Sequence, residues 1–266
     1  MIKSVLYQEK ELFYKLEGEG PPVLLVHGLA EDHTVWDRQT GFLSAHFQVL
    51  VPDLPGSGQS ALLPHTSMEE LADAVKAILD AESIAQTVMI GHSMGGYVTL
   101  AFAEQHPHAL KTFGLFHSTA YADSDEKKTG RKRNMDFLAA NGTLPFLKQA
   151  TPGLFSADTK QIRPELAQEL IDRYSGFNPD ALVAYNQAML ERPDRTQVIA
   201  AAPGPVLFVM GGHDTAVPLE QSLKQAHLAN VEYIHILKKS AHMGFLEESD
   251  ESNQLLKKFL DDVFIP

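Results

Sequence analysis

The feature that most constrains this chain is a repeated alternation. Short apolar runs are stopped by Gly and Pro, and stretches of helical periodicity lie between them. Val23-Leu24-Leu25-Val26 sits between Pro21-Pro22 and His27-Gly28, and Phe47-Gln48-Val49-Leu50-Val51 is stopped by Pro52. Thr87-Val88-Met89-Ile90 and Thr112 to Phe116 repeat the pattern. A continuous apolar run is what a strand needs when both of its faces are buried, and such strands belong to parallel sheets covered by helices. Ser67-Met68-Glu69-Glu70 reads as a capping box, opening a helix with Leu71, Val75, Ile78 and Leu79 on one face. Gly95 to Gln105 predicts a further helix, ended before Pro107. The fold class is therefore α/β, with a mostly parallel sheet and helices on both faces.

The pattern breaks after the fourth run. From about Thr119 to Ala201 no strand-like run occurs; a charged stretch from Asp123 to Arg133 is followed by helical segments at Pro164 to Arg173 and Pro179 to Glu191. About 80 residues are too many for a plain loop, so this segment predicts a helical insertion. Alternation resumes at Pro205 to Met210, continues through Val231 to Leu237, and closes with a helix from about Glu247 to Phe259. The expected organisation is a core from 1–118 and 202–266, carrying a helical cap over 119–201.

Composition narrows the function. With 22 basic and 34 acidic residues the chain carries a net charge of −12, which repels polyphosphate over most of its surface and argues against nucleic acid. There is no cysteine, so disulfides, thiolate catalysis and zinc–sulfur sites are excluded. Met1 to Lys10 has no apolar core before charges intervene, so no secretory signal is predicted. No apolar run approaches the ~20 residues of a spanning helix, and a cytoplasmic location away from membranes is expected.

The chemistry is carried by Gly91-His92-Ser93-Met94-Gly95-Gly96, a G-x-S-x-G match between an expected strand and an expected helix. Such a turn strains the serine backbone and lifts its hydroxyl above the C-terminal edge of the sheet. A serine hydroxyl needs a base, and the base needs an orienting carboxylate. Gly211-Gly212-His213-Asp214 follows the strand ending at Met210, and Ser240-Ala241-His242-Met243 follows the strand ending near Leu237. Ser93, Asp214 and His242 thus fall on one rim, in the order Ser, Asp, His. An oxyanion needs two backbone N–H donors; Met94, after the nucleophile, and Leu29, in the His27-Gly28-Leu29 turn, are the candidates. Gly28 would let that turn approach the substrate, while His27 is read as a buttress.

These segments resemble the α/β-hydrolase superfamily, in its lid-bearing branch of serine esterases and related hydrolases. The resemblance rests on VLLVHG at 23–28, DLPGSGQS at 53–60, VMIGHSMGGYVTLAFA at 88–103, PVLFVMGGHDTAVP at 205–218 and SAHMGFLEE at 240–248. It implies a sheet of about eight strands with the cap inserted after the sixth. It also implies Ser93 as nucleophile, Asp214 as acid and His242 as base. Ala241 departs from the glycine frequent at that position in the family.

The expected reaction is hydrolysis of a small-to-medium carboxylic ester through an acyl-enzyme on Ser93, without a cofactor. A C–C bond hydrolase or lyase, or a perhydrolase, would use the same triad, and a small-ligand sensor is a fourth reading. Candidate substrate-binding residues are Gly28, Trp36, Phe137, Phe146, Tyr185, Met189 and Met243, in a pocket for a small molecule with an apolar part. The basic cluster Lys127-Lys128-Thr129-Gly130-Arg131-Lys132-Arg133 is read chiefly as a solvated face, with an anion grip at the lid edge as its alternative. Glu31, Asp32 and His33 are consecutive and lack spaced partners, so no metal is expected. His92 and His213 are assigned structural roles. A monomer or homodimer is expected.

Overall fold

Eight strands form a single sheet in the order β1-β2-β4-β3-β5-β6-β7-β8 in the computed structural model, which is described over residues 1–264. The strands are β1 (Ile2–Tyr7), β2 (Lys10–Glu17), β3 (Pro22–Val26), β4 (Gln48–Pro52), β5 (Thr87–His92), β6 (Leu110–Phe116), β7 (Val206–Gly211) and β8 (Glu232–Leu237). β1 and β2 pair antiparallel, as do β2 and β4, and every later pair is parallel. The helices of the core are α1 (Asp37–Leu43), α2 (Met68–Ala81) and α3 (Met94–Gln105). Those of the insertion are α4 (Asp125–Asn141), α5 (Thr143–Ala150), α6 (Ala157–Ile162), α7 (Glu165–Tyr174), α8 (Pro179–Glu191) and α9 (Thr196–Ala200), and the core resumes with α10 (Leu219–Ala226), α11 (Gly244–Glu247) and α12 (Ser249–Phe264).

The central strands are apolar because both faces are covered. β5 and β7 are buried along their whole length, as are Val23 to Val26 of β3. Burying a Val, Leu or Ile side chain contributes about 1.5–3 kcal/mol each, so these strands dominate the core. α2 starts where its cap demands: the Ser67 side chain accepts the Glu70 N–H at 3.1 Å, and Leu71, Val75, Ile78 and Leu79 are buried. The mostly parallel sheet follows from the alternation, and its eight strands with helices inserted after the sixth match what the resemblance implies.

Two departures from the sequence reading have clear causes. The β1–β2 hairpin was not among the expected strands; its turn residues Gln8 and Glu9 take φ of 47° and 61° without the Gly or Asn that advertises such a turn. The charged stretch from Asp123 to Arg133 is helical from Asp125 on, with Ser124 capping α4 by accepting the Lys127 N–H. Among the described residues, no helix is long and apolar enough to cross a membrane.

Candidate active site

The turn that carries Ser93 is built by close approach. Ser93 follows β5, takes φ 49° and ψ −115°, and caps α3. A left-handed serine of this kind costs about 1–3 kcal/mol, and neighbours hold it in place. Its N–H donates to Phe116 O at 3.0 Å, and its carbonyl accepts from Gly96 N at 2.9 Å and Ser118 Oγ at 2.7 Å. Side chains are impossible at two flanking positions: a Cβ at Gly91 would lie 2.2 Å from Gly95 O, and one at Gly95 would lie 2.4 Å from Val26 O.

Three side chains converge at the C-terminal rim of the sheet. His242 Nε2 lies 2.9 Å from Ser93 Oγ, and its Nδ1 lies 2.8 Å from Asp214 Oδ2. Asp214 Oδ1 accepts the N–H groups of Ala216 at 2.8 Å and Val217 at 2.9 Å, which fixes the plane of the carboxyl group. Burial alone would raise the Asp214 carboxyl, but the charge and hydrogen bond of His242, the nearby His117 and the Val217 N–H hold it down at about 2. Burial lowers His242, and the Asp214 charge and hydrogen bond outweigh it, so its imidazole sits above the ordinary histidine value.

A second layer of polar groups lies behind these three. His92 Nε2 donates to His242 O at 3.0 Å, and His92 Nδ1 lies 3.1 Å from Glu31 Oε2. Glu31 is buried, which raises its carboxyl, but His92 and the Gly28 N–H donated to it at 2.6 Å bring it below the ordinary value. His117, at the end of β6 with φ 48°, was absent from the sequence reading. Its Nε2 accepts the Gly244 N–H at 3.2 Å, leaving Nδ1 3.5 Å from Asp214 Oδ2. Burial chiefly, with help from His242 and His92 against Asp214, keeps its pKa well below the ordinary value, so the ring is neutral. The signal was present: His117 follows a strand at the same rim as the other three residues.

Above Ser93 lies a cavity of about 370 Å³. Its floor includes Leu29, His92, Ser93 and His242; Phe146, Leu147, Ala150, Leu154, Leu170 and Met189 of the insertion give it an apolar wall. Lys127, Gly130, Arg131 and Asn134 of α4 form another wall. Met94 opens α3, so its N–H has no acceptor within the helix, and Leu29 faces the same space.

Of the seven candidates, Phe146 and Met189 line the cavity and five lie away from it. Trp36 is fully buried, stacked on Phe245 with ring centroids 4.6 Å apart. Tyr185 is buried under the β4–α2 loop, where its hydroxyl donates to Pro55 O at 2.7 Å. Phe137 lines a separate hollow with Arg133 and Gln149. Met243 is fully buried, and its carbonyl accepts the N–H groups of Leu246 and Glu247. Gly28 accommodates protein in place of substrate, since a Cβ there would lie 2.9 Å from His92 Nδ1 and 3.0 Å from Glu31 Oε2. In each case the side chain or backbone satisfies a packing need that the linear order does not reveal.

His27 and His213 divide clearly. His27 accepts the Leu54 N–H through Nε2 at 3.0 Å, and its Nδ1 lies 2.9 Å from Gly28 O, so it braces the turn. His213 is exposed. The premise that Glu31, Asp32 and His33 lack a spaced partner fails: Asp53 comes within reach of Asp32 and His33. Asp53 Oδ1 already accepts both the backbone N–H of His33, at 2.9 Å, and its Nδ1, at 2.7 Å, while Oδ2 accepts from Gln59 N. Asp32 Oδ1 accepts from Thr34, making this group a set of loop caps.

A strained serine turn, a buried histidine and carboxylate on one rim, and a helical insertion above them define a class of α/β enzyme. A model of the alpha/beta hydrolase family matches residues 23–255, and the chain belongs to that family. The chain is 30% identical over 256 residues to the dihydrolipoyllysine-residue acetyltransferase component of the acetoin cleaving system of Pseudomonas putida, covering 93% of this chain and 66% of that longer protein. It is 27% identical to the pimeloyl-[acyl-carrier protein] methyl ester esterase of Vibrio atlanticus, covering 90% of this chain and 94% of the relative. A thermophilic esterase from Thermogutta terrifontis, solved with malate bound, superposes with a TM-score of 0.92 at 29% identity, covering 98% of this chain and 97% of that one. The protein is an enzyme of the hydrolase class.

Proposed function

We propose that the protein is a serine carboxylesterase acting on a small-to-medium ester with an apolar part. The observation that carries this reading is the continuous chain Ser93 Oγ, His242 Nε2, His242 Nδ1, Asp214 Oδ2, at 2.9 and 2.8 Å, beneath the cavity. Ser93 Oγ attacks the ester carbonyl carbon as His242 Nε2 takes the hydroxyl proton. Asp214 keeps the remaining ring proton on Nδ1 and stabilises the imidazolium. The N–H groups of Leu29 and Met94 donate to the developing oxyanion. His242 then protonates the departing alkoxide, leaving an acyl-enzyme. Water, deprotonated by His242, attacks the acyl carbon and releases the acid and Ser93. No step calls for a cofactor. The apolar wall formed by Phe146, Leu147, Ala150 and Leu154 suits an aliphatic chain.

The test is hydrolysis of p-nitrophenyl esters of increasing acyl length by the wild type and by Ser93→Ala. Turnover should be present in the first and absent in the second, with an optimum at short to medium chains. If both proteins were inactive on every ester, the esterase reading would fall. A C–C bond hydrolase would then cleave a dienoate diketone with the same residues, and a sensor would bind ligand without turnover.

A further inference from the structure

The cavity wall formed by α4 differs from the rest of the lining. Lys127, Gly130, Arg131 and Asn134 are spaced i, i+3, i+4 and i+7, so a single face of the helix looks into the cavity, and it holds no large apolar side chain. A lid that covered only a hydrocarbon chain would place leucines on this face. Two cations there lose part of their hydration, a cost that an anion in the cavity offsets.

Their heads are held in place. Arg131 Nε donates to Asp123 Oδ2 at 2.7 Å, while Asp123 Oδ1 accepts from Arg192 Nη2 at 2.8 Å. Asp123 and Arg192 are buried, and the Arg192 guanidinium lies 3.8 Å over the ring of Tyr97, itself part of the lining. One carboxylate therefore balances one of two guanidiniums, leaving a net positive charge that Lys127 increases. Lys127 Nζ donates to Ala216 O at 3.2 Å, in the loop that also caps Asp214, and keeps its other hydrogens free. Gly130 lies between the two cations on the same face, and a Cβ there would touch nothing within 4 Å, so room remains beside them. A glycine inside a helix costs about 1 kcal/mol relative to alanine, which a functional opening would justify. Among the described residues, the only carboxylate in the lining is Glu31, on the β3–α1 loop, where Gly28 and His92 occupy one of its oxygens.

We infer that Lys127 and Arg131 form a carboxylate-binding subsite, and that the substrate is an ester with a second, ionised carboxyl group, such as a half-ester of a dicarboxylic acid. The inference rests on the esterase reading above and names its substrate class. A monoanion fits better than a phosphate dianion, because Asp123 already occupies the Nε edge of Arg131 and neutralises part of the local charge. The apolar wall would take the methylene chain and the α4 wall the distal carboxylate.

The experiment compares monomethyl esters of succinate, glutarate, adipate and pimelate with methyl esters of the corresponding monocarboxylic acids. The readout is the ratio of kcat/KM for each pair. At the optimal length the half-ester should be preferred by about tenfold, about 1.4 kcal/mol, and the preference should shrink as salt is raised. Lys127→Gln loses only a hydrogen bond to a carbonyl, so it should fold normally and lower the ratio severalfold; Arg131→Gln should do the same. Using a ratio cancels any change that loss of the Lys127 charge makes to His242. Half-esters turned over no better than neutral esters, or a ratio unmoved by both substitutions, would overturn the subsite.

Calorimetry on Ser93→Ala separates this failure from failure of the esterase reading. The Ser93→Ala protein should bind monomethyl adipate more tightly than methyl hexanoate, and adding Lys127→Gln and Arg131→Gln should abolish the difference. Discrimination in binding with no wild-type turnover supports the subsite and rejects the esterase. Binding without discrimination rejects the subsite whatever the turnover.

Discussion

Asp214→Asn is a substitution of nearly equal shape with a calculable consequence. The backbone N–H groups of Ala216 and Val217 both donate to Oδ1, at 2.8 and 2.9 Å, so the asparagine oxygen must take that position. Its NH2 group then replaces Oδ2, 2.8 Å from His242 Nδ1. A donor there forces Nδ1 to accept and puts the ring proton on Nε2, facing Ser93 Oγ, where it blocks proton removal. His117 makes matters worse: its Nε2 accepts from Gly244, so its Nδ1 hydrogen faces the same NH2 group from 3.5 Å in the native geometry. In a Ser–His–Asp triad trapped in the wrong tautomer, kcat falls by about 10⁴, or about 5.5 kcal/mol of transition-state stabilisation. Stability should change less. The carboxylate is held at about 2 against an ordinary 3.8, which corresponds to about 2 kcal/mol in favour of the ionised form. That contribution is present above pH 3.8 and is lost as pH falls through about 2, so the comparison belongs near neutrality. The assay is kcat/KM on p-nitrophenyl butyrate at neutral pH, with thermal unfolding alongside. A folded variant retaining more than about a tenth of wild-type kcat/KM would refute the tautomer argument.

Other outcomes follow from the same geometry. Because Asp214 outweighs burial and raises the His242 pKa, kcat/KM for a neutral ester should climb with pH through a midpoint above 6.5; a midpoint below that value would contradict the pairing. Arg192→Met removes hydrogen bonds to Met189 O, Tyr121 O and Asp123 Oδ1 and leaves buried Asp123 with Arg131 alone. A loss of about 3 kcal/mol should lower Tm by roughly 6–12 °C, and a fall below about 2 °C would show the pair to be dispensable.

The parts of the molecule legible in the sequence are those fixed by local patterns. Val23 to Val26 and Val206 to Met210 are apolar throughout because each is covered on both sides, and a continuous run records that directly. Ser93 and Asp214 follow such strands and His242 follows the half-exposed edge strand β8, so their common rim could be inferred before any distance was known. The β1–β2 hairpin lacked such a record: β1 is half exposed along its length, and its turn uses Gln8 and Glu9. Pocket membership was the least legible property. Trp36 and Tyr185 have the size and character of pocket residues, yet one stacks on Phe245 and the other reaches a backbone carbonyl, contacts set by residues far away in sequence. Lys127 and Arg131 were visible as part of a charge run. Only the helical phase of α4 separates the two that turn inward from Lys132 and Arg133, which are exposed.

The insertion is fastened to the core in the middle as well as at its exits. Near the exits, Gln225 donates to Ser118 O and accepts the Ala120 N–H, while Arg195 N donates to Ala120 O and its side chain pairs with Glu69 and Glu104. Midway, His242 N donates to Leu154 O at 2.9 Å, Ser156 N to Glu247 Oε2 at 2.9 Å, and Arg163 to Glu247 O. Leu154 is itself part of the cavity wall. A hinge that swung the whole insertion outward would therefore tug on the backbone of His242. The position of Leu154 and the aim of the imidazole are mechanically coupled, so a ligand that pried at Leu154 would turn His242 away from Ser93.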